Sequence, residues 1–565
     1  MAETPTEERL LTGHEEEQTP CDNAETTANP PLRASANAPG DEIAPKCEKP
    51  DPTAIERTEA LEQLRAEINA GRTRIALLRG CAQAAEAVKA ADVFMLCTGA
   101  GFSADSGLAV YRDIAKIPAY HNRGLQYHDI CDPTWLEAEP ALFYGFWGTC
   151  FNDYRSTQPH RGYEIVASWR DQLFRDSSIA QQIQRRVVSM ESDVAPTEAP
   201  YSCNGHPGAF FVFTSNVDAH SFDHFGSFEV RECHGNTELW QCMDGERCCK
   251  TVWRAPLDYA FRVDLETMLA PAESEVSDDS AMLKLDGLSL KDGTDTAAHP
   301  GAEAPLEAAV KEQVAPEAAE AEKVKGAPEA ADAVKFNEDV EKCSPSAGDE
   351  DEAPRAGRVK RGDRTHLLRA WPPLEESATL SVTKESFQQP NRPKCVKCGK
   401  SARPAILMFD DFDWVDDIAQ ELRYNRWLRA VEATVRARAA WAAATEDRSP
   451  LKVCILEIGC GKNVPTCRMN TRQFGNRMAQ AGAESTLIRI NNDFPGPDVS
   501  SMMGGNQVAH IALRGGGLEC IAEIDAAMTN PEAAALEVAK TDAAMAAATA
   551  RLDKMLEELE LEELT

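Results

Sequence analysis

Apolar residues along this chain follow two periods. Ile55, Leu61, Leu64, Ile68, Ile75 and Leu78 recur at roughly helical spacing, and the alanine-rich stretch 82–91 continues the pattern, which predicts a helix over 54–90. Residues 160–190, 415–445 and 471–482 read as helical as well. Between these stretches stand short uninterrupted apolar runs: Val93-Phe94-Met95-Leu96-Cys97, Phe210-Phe211-Val212-Phe213-Thr214, 453–458 and 486–491. A run without polar alternation suits a strand covered on both faces. Strands of this kind alternating with helices predict an α/β fold, an open parallel sheet with helices on both faces.

Three segments break the pattern. Residues 1–53 carry Pro, Thr, Glu and Asn with almost no apolar periodicity, and 271–390 is dominated by Ala, Glu, Pro, Lys and Asp over most of its length. Such compositions bury too little apolar surface to offset chain entropy, so an acidic disordered tail and a mostly disordered insert are expected. Within the insert, the basic run Arg358-Val359-Lys360-Arg361 reads as a solvated charge cluster or a weak nuclear address. Residues 175–208 include a loop broken by Pro196, Pro200, Pro207 and Gly208. Leu552, Met555, Leu556 and Leu559 mark an amphipathic helix in the C-terminal segment 531–565, docked on the core by default. The folded domain is expected to span 54–530, interrupted by the insert.

Charge and cysteine content narrow the function. The net charge of −33 in 565 residues argues against direct nucleic-acid binding and is compatible with attraction of basic protein tails. The opening Met1-Ala2-Glu3-Thr4 is unlike a signal or transit peptide, and no apolar run approaches the ~18 residues of a membrane span. The 18 cysteines lack a framework-like spacing, which points to a reducing cytoplasmic or nuclear setting, with some thiols ligating metal.

Candidate chemistry begins where the first strand ends. Gly99-Ala100-Gly101, followed by Ser103, gives a turn small enough for backbone to approach a pyrophosphate, on a Rossmann-like sheet. Ala104 stands where a dehydrogenase fingerprint requires its third glycine, so a generic dehydrogenase is disfavoured. The second run leads into Ser215-Asn216-Val217-Asp218, and Cys233-His234-Gly235 follows. A histidine accepts protons near neutrality, its unperturbed pKa being about 6.5. Further on, Cys395-Val396-Lys397-Cys398 is a clean Cys-x-x-Cys knuckle, and Cys242 with Cys248 or Cys249 would complete a four-thiolate structural zinc site.

In this order the motifs resemble those of the sirtuins, the NAD-dependent protein deacylases, over roughly residues 80–270 and 390–530. The chain is similar to the microbial-type branch, with Trp240-Gln241-Cys242 at the zinc entry and Met408-Phe409-Asp410-Asp411 at the peptide strand. The resemblance implies NAD as cofactor, a small zinc lobe at about 235–270 and 390–414, and acyl-lysine proteins as partners. It places Tyr111 and Arg112 near the nicotinamide ribose and phosphates, with Ala109 and Val110 standing where the family has Pro and Asp. Asn216 would orient a ribose hydroxyl or water, Ser215 replaces the family's Gln, and Asp218 would bind the nicotinamide carboxamide. His234 is implied as the base that deprotonates a ribose hydroxyl after the acyl oxygen displaces nicotinamide; free lysine and acyl-ADP-ribose result. Gly459-Cys460-Gly461 corresponds to the later cofactor loop and Asn491 to the adenosine-ribose contact. Asp410 stands where the family has Gly in the strand that pairs with substrate, and could crowd the peptide or select a basic one. Two other readings stay open: a mono-ADP-ribosyltransferase on the same fold, and a catalytically weak NAD-binding scaffold.

Overall fold

The computed structural model describes residues 52–110, 113, 116–192, 205–248, 250–272, 364, 383–445, 449–498 and 508–563. The tail, most of the insert with its basic run, Tyr111, Arg112 and Cys249 lie outside the described residues. Two compact units are distinguished, Met1–Leu64 and Arg65–Thr565. Of the first, only the opening of helix α1 (Pro52–Ala90) is described.

The second unit is built on a six-stranded sheet. Its strands are β1 (Val93–Thr98), β2 (Phe210–Thr214), β3 (Val230–Glu232), β7 (Lys452–Ile458), β8 (Glu484–Ile490) and β9 (Val508–Leu513). Their order is β3-β2-β1-β7-β8-β9, with every pairing parallel. All six residues of β1 are buried, which explains its unbroken apolar run. Successive strand side chains point to opposite faces, and both faces are covered. Phe211 stacks on Trp427 of helix Ile418–Thr445 at 4.7 Å, while Phe210 meets Phe225 at 5.4 Å on the other side. The expected open parallel sheet with helices on both faces is therefore present.

A smaller antiparallel sheet, β5-β4-β6, uses β4 (Gly235–Cys242), β5 (Val252–Arg254) and β6 (Ala402–Ile406). It closes a second core of aromatic residues, including Tyr144, Trp147, Trp240, Trp253 and Phe261. Strand β6 lies beyond the insert in sequence, so this lobe is assembled from both halves of the chain.

Several helices differ from the periodicity reading. The stretch 160–190 is divided into α2 (Arg161–Trp169), a π-turn at Arg170–Phe174 and α3 (Ser178–Ser192). The helix expected over 471–482 begins earlier, as α4 (Thr466–Ala481), and ends at Gly482 in the left-handed conformation. Helix α5 (Gly517–Thr529) follows β9, and α6 (Pro531–Glu563) closes the described chain. Ion pairs Arg79–Asp542 and Glu67–Arg551 run α6 antiparallel along α1.

Phe94, fully buried in β1, stacks on Phe174 at 5.2 Å and on Phe210 at 5.9 Å. Phe94→Ala is expected to lower stability by about 3–5 kcal/mol in denaturant titration. A loss under about 1 kcal/mol would contradict this placement of the core.

Candidate functional site

Strand order places the site. From β1 the chain moves outward through β2 and β3, then restarts on the other side of β1 with β7, β8 and β9. The direction reverses between β1 and β7, and open α/β sheets bind ligands beyond the strand ends at such a switch point. The turn after β1 and the loop after β7 meet there. A Cβ on Gly99 would lie 2.9 Å from the Cys460 Cα, and one on Gly101 would lie 2.7 Å from the Gly459 Cα. A Cβ on Gly459, which sits at φ +65°, would lie 2.5 Å from the Gly101 backbone. These glycines are therefore required first by the approach of the two loops to each other. The Gly101 N–H donates to the Gly459 carbonyl at 3.1 Å, and the Gly459 N–H donates to Ile490 at 3.0 Å. Gly461 stands in open space and Ala100 is exposed, so a ligand can reach this rim.

Beneath the turn lies a buried polar cluster. The Asn216 amide donates to Ser103 Oγ at 3.0 Å, and Ser103 Oγ donates to the Asp218 carboxylate. Asp218 also accepts from the His220 N–H at 2.9 Å. Thr98 and Thr214, side by side at the ends of β1 and β2, share a hydrogen bond of 2.7 Å. Asn216 leans on this pair, its N–H donating to Thr214 Oγ1 at 3.0 Å. Three residues singled out in sequence (Ser103, Asn216 and Asp218) are thus one hydrogen-bonded unit, and Ser215 is half-buried beside them.

His234 follows β3 at the same edge of the sheet. Its ring is half-buried, with Nε2 3.4 Å from Thr466 Oγ1 at the start of α4. Burial holds its pKa below the ordinary value of 6.5, which leaves the imidazole neutral near pH 7 and able to accept a proton. Gly235, at φ +71°, lets the chain turn directly after it; a Cβ there would lie 1.9 Å from the Ala405 carbonyl oxygen. The His234 carbonyl accepts from the Leu407 N–H at 3.0 Å, so the histidine joins both sheets.

Cys460 points away from the rim. It is buried with Cys97 and Cys467, the three sulfurs lying within 4.8 Å of one another. Each thiol faces a backbone carbonyl: Cys97 that of Cys467 at 3.7 Å, Cys467 that of Thr98 at 3.4 Å, and Cys460 that of Ile458 at 3.5 Å. The three thiols pack beneath the loop. Burial pushes the Cys97 and Cys460 thiols up, while hydrogen bonds from Cys233, Cys460 and Cys97 draw the Cys467 thiol well below its ordinary value. The Cys460 carbonyl is held by Arg468 at 3.1 Å and by the Asn491 amide at 3.0 Å. Asn491 is engaged there and with the N–H groups of Asp493 and Phe494, and so ties the β7 loop to the end of β8.

In the small lobe, the sulfurs of Cys242, Cys248, Cys395 and Cys398 lie within 4.8 Å of one another. Cys242 and Cys398 are 3.5 Å apart. Cys395 accepts from the Gly399 N–H at 2.8 Å, with Gly399 at φ +72°, which forms the tight knuckle. Four converging thiols fit a tetrahedral structural zinc ion. The insert between the cysteine pairs leaves their convergence intact, since lengthening a loop costs little. Nearby, Arg403 and Asp411 form a fully buried bidentate pair, both donor–acceptor distances 2.7 Å, that fixes the chain around Asp410. Asp410 itself adopts φ +52°, a left-handed conformation in which glycine would be unstrained.

Sequence reading passed over Thr466, although a threonine after Pro465 is a helix-start signal. It also passed over Arg364, near the basic run of the insert, which is buried against the Asp218 loop. Cys395→Ser is expected to drop zinc content from about one ion per chain to near zero by atomic absorption, with a lower thermal midpoint. Unchanged metal content would contradict the four-thiolate site.

No family model matches the chain. An NAD-dependent protein deacylase of Deinococcus radiodurans is 29% identical over 157 residues, which are 27% of this chain and 49% of that protein. The chain thus spans about half the length of the curated relative it matches. A solved Sir2 homologue in complex with NAD covers 79% of this chain and 93% of its own, at 12% identity and a TM-score of 0.34. A second Sir2 homologue, a mutant with ADP-ribose, covers 79% and 96%, at 13% identity and a TM-score of 0.33. Likeness at that level adds no weight of its own. Over the 157 residues matched by sequence the chain is similar to the Deinococcus radiodurans deacylase, and the residues of the loops after β1, β2, β3 and β7 stand together on one edge of the sheet.

Proposed function

We propose that this protein is an NAD-dependent protein-lysine deacylase that releases nicotinamide and O-acyl-ADP-ribose. The observation that carries the reading is His234, neutral by burial and set on the same strand edge as the Ser103–Asn216–Asp218 cluster. When bound, NAD would supply an electrophilic anomeric carbon for the acyl oxygen of the substrate, with nicotinamide as its leaving group. The chain's own residues supply position and a proton acceptor. Asp218, held by Ser103 and the His220 N–H, would accept from the carboxamide. Asn216 would bind a ribose hydroxyl or water. His234 takes the ribose hydroxyl proton, and Thr466 Oγ1 steadies its ring. The four cysteines hold zinc away from the reacting atoms, as a brace for the small lobe.

Strand β6 is bonded to β4 and stands at the edge of its sheet. It leads directly to Asp410, where an acyl-lysine peptide would add as a strand. A net charge of −33 favours substrates in basic segments.

The test is nicotinamide release from NAD with and without an acetylated basic peptide. Peptide-dependent release is expected, falling about 10²–10⁴-fold in His234→Ala. Release without peptide would favour ADP-ribose transfer, and NAD binding without release would favour a scaffold. The pH profile is a second check. The base acts when deprotonated, so kcat/KM should rise with pH through the His234 pKa and level off above it. Because burial lowers that pKa, the acid limb should lie below 6.5. A limb above 6.5 would exclude a neutral buried His234 as the base.

A further inference from the structure

Arg364 is the one described residue between 273 and 382. It is 1% exposed, and all five of its guanidinium N–H donors are used. Nε and Nη2 grip the Asp223 carboxylate at 2.7 and 2.8 Å, in a bidentate pair whose partner is equally buried. Nη1 donates to the Asp218 carbonyl at 2.9 Å and to the Tyr154 carbonyl at 3.3 Å, and Nη2 donates to the Ala219 carbonyl at 3.1 Å. Its own N–H donates to the Arg155 carbonyl at 3.2 Å. One side chain therefore ties the end of helix Pro140–Ser156 to the turn that carries Asp218.

That turn needs holding. Ala219 sits at φ 60°, a left-handed conformation that a non-glycine residue adopts at a cost. The next residue, His220, gives its N–H to Asp218 and brings its ring Nε2 within 3.2 Å of the Tyr154 carbonyl that Arg364 also bonds. Arg364 thus fixes the backbone on both sides of the Asp218 peptide, behind the carboxylate that faces Ser103.

We propose that Arg364 is a positioning residue for the nicotinamide side of the cofactor site, delivered to the domain by the segment that separates its two halves. The inference rests on the reading of Asp218 as the carboxamide-binding residue. Lysine cannot replace it. An ammonium has three donors and no fork, so it cannot hold the Asp223 carboxylate and three carbonyls at once. Removal of the guanidinium leaves Asp223 buried without its cation, and the turn free to relax from its strained φ. Nicotinamide contacts are then lost, while the Gly99–Gly101 and Gly459 loops, on the other side of the Ser103 cluster, keep their own bonds.

Two ligands separate positioning from plain structural support. ADP-ribose shares every part of NAD except the nicotinamide. In calorimetric titrations of the full chain, Arg364→Ala and Arg364→Lys are expected to weaken NAD binding about tenfold, the scale of a lost charged hydrogen bond. ADP-ribose affinity should stay within about twofold of native, and free guanidinium should restore part of the NAD affinity of Arg364→Ala. Equal losses for NAD and ADP-ribose would make Arg364 merely structural and overturn the proposal. So would native NAD affinity in both variants. If native protein binds ADP-ribose and NAD equally well and Asp218→Asn changes neither, the reading of Asp218 fails and takes this inference with it.

Discussion

The contact between the Gly99–Gly101 turn and Gly459 is the constraint on which the rest of the site depends. Backbone meets backbone there at distances that leave no room for a Cβ on any of the three residues. The approach fixes how β1 and β7 end relative to each other, and hence the opening at the point where strand order reverses. Everything with chemical potential is referenced to it. Ser103 stands two residues beyond Gly101, the Asn216 amide reaches it from just past β2, and Asn491 holds the β7 loop from the end of β8. Any side chain at Gly101 or Gly459 would push the two halves of the sheet edge apart.

Around this contact the protein buries charge in pairs. Arg155–Glu238, Arg170–Glu229, Arg364–Asp223, Arg403–Asp411 and Arg489–Glu457 are nearly or fully inaccessible on both sides. Buried pairs contribute little net stability, because desolvation offsets attraction, but breaking one partner away is costly. Their value is directional. Each guanidinium reads several acceptors at fixed angles, so irregular chain around the sheet edge is held in one arrangement. Arg155 joins Glu238 of the small lobe to the carbonyls of Pro256 and Tyr259, and Arg403 with Asp411 shapes the approach to Asp410.

The sequence was most legible where burial is complete and apolar. Strands β1, β2, β7 and β8 stand out because both faces are covered. Strand β3 does not, since Val230-Arg231-Glu232 is buried with polar partners, Arg231 paired to Asp416 and Glu232 accepting from the Asn236 amide. Strand β4 hides for the same reason: Asn236, Thr237, Glu238 and Gln241 are buried through hydrogen bonds that no periodicity announces. Strand β9 is an edge strand with a half-buried, uneven pattern. In the site, Ser103, Asn216, Asp218 and the four cysteines could be named from motifs because their types are chemically distinctive. The side-chain directions of Cys460 and Asn491 could not, and both side chains turn into the scaffold of the loop. Arg364 was hidden by its neighbours, whose composition masks a single buried side chain.

The central claim is that the glycine loops and the buried polar cluster form one NAD site. Calorimetric titration of NAD into the full chain, native and Asn216→Ala, tests it most directly. The account predicts saturable one-to-one binding in the native protein and clearly weaker binding in the variant. Absence of saturable binding, or equal binding by both proteins, would contradict it.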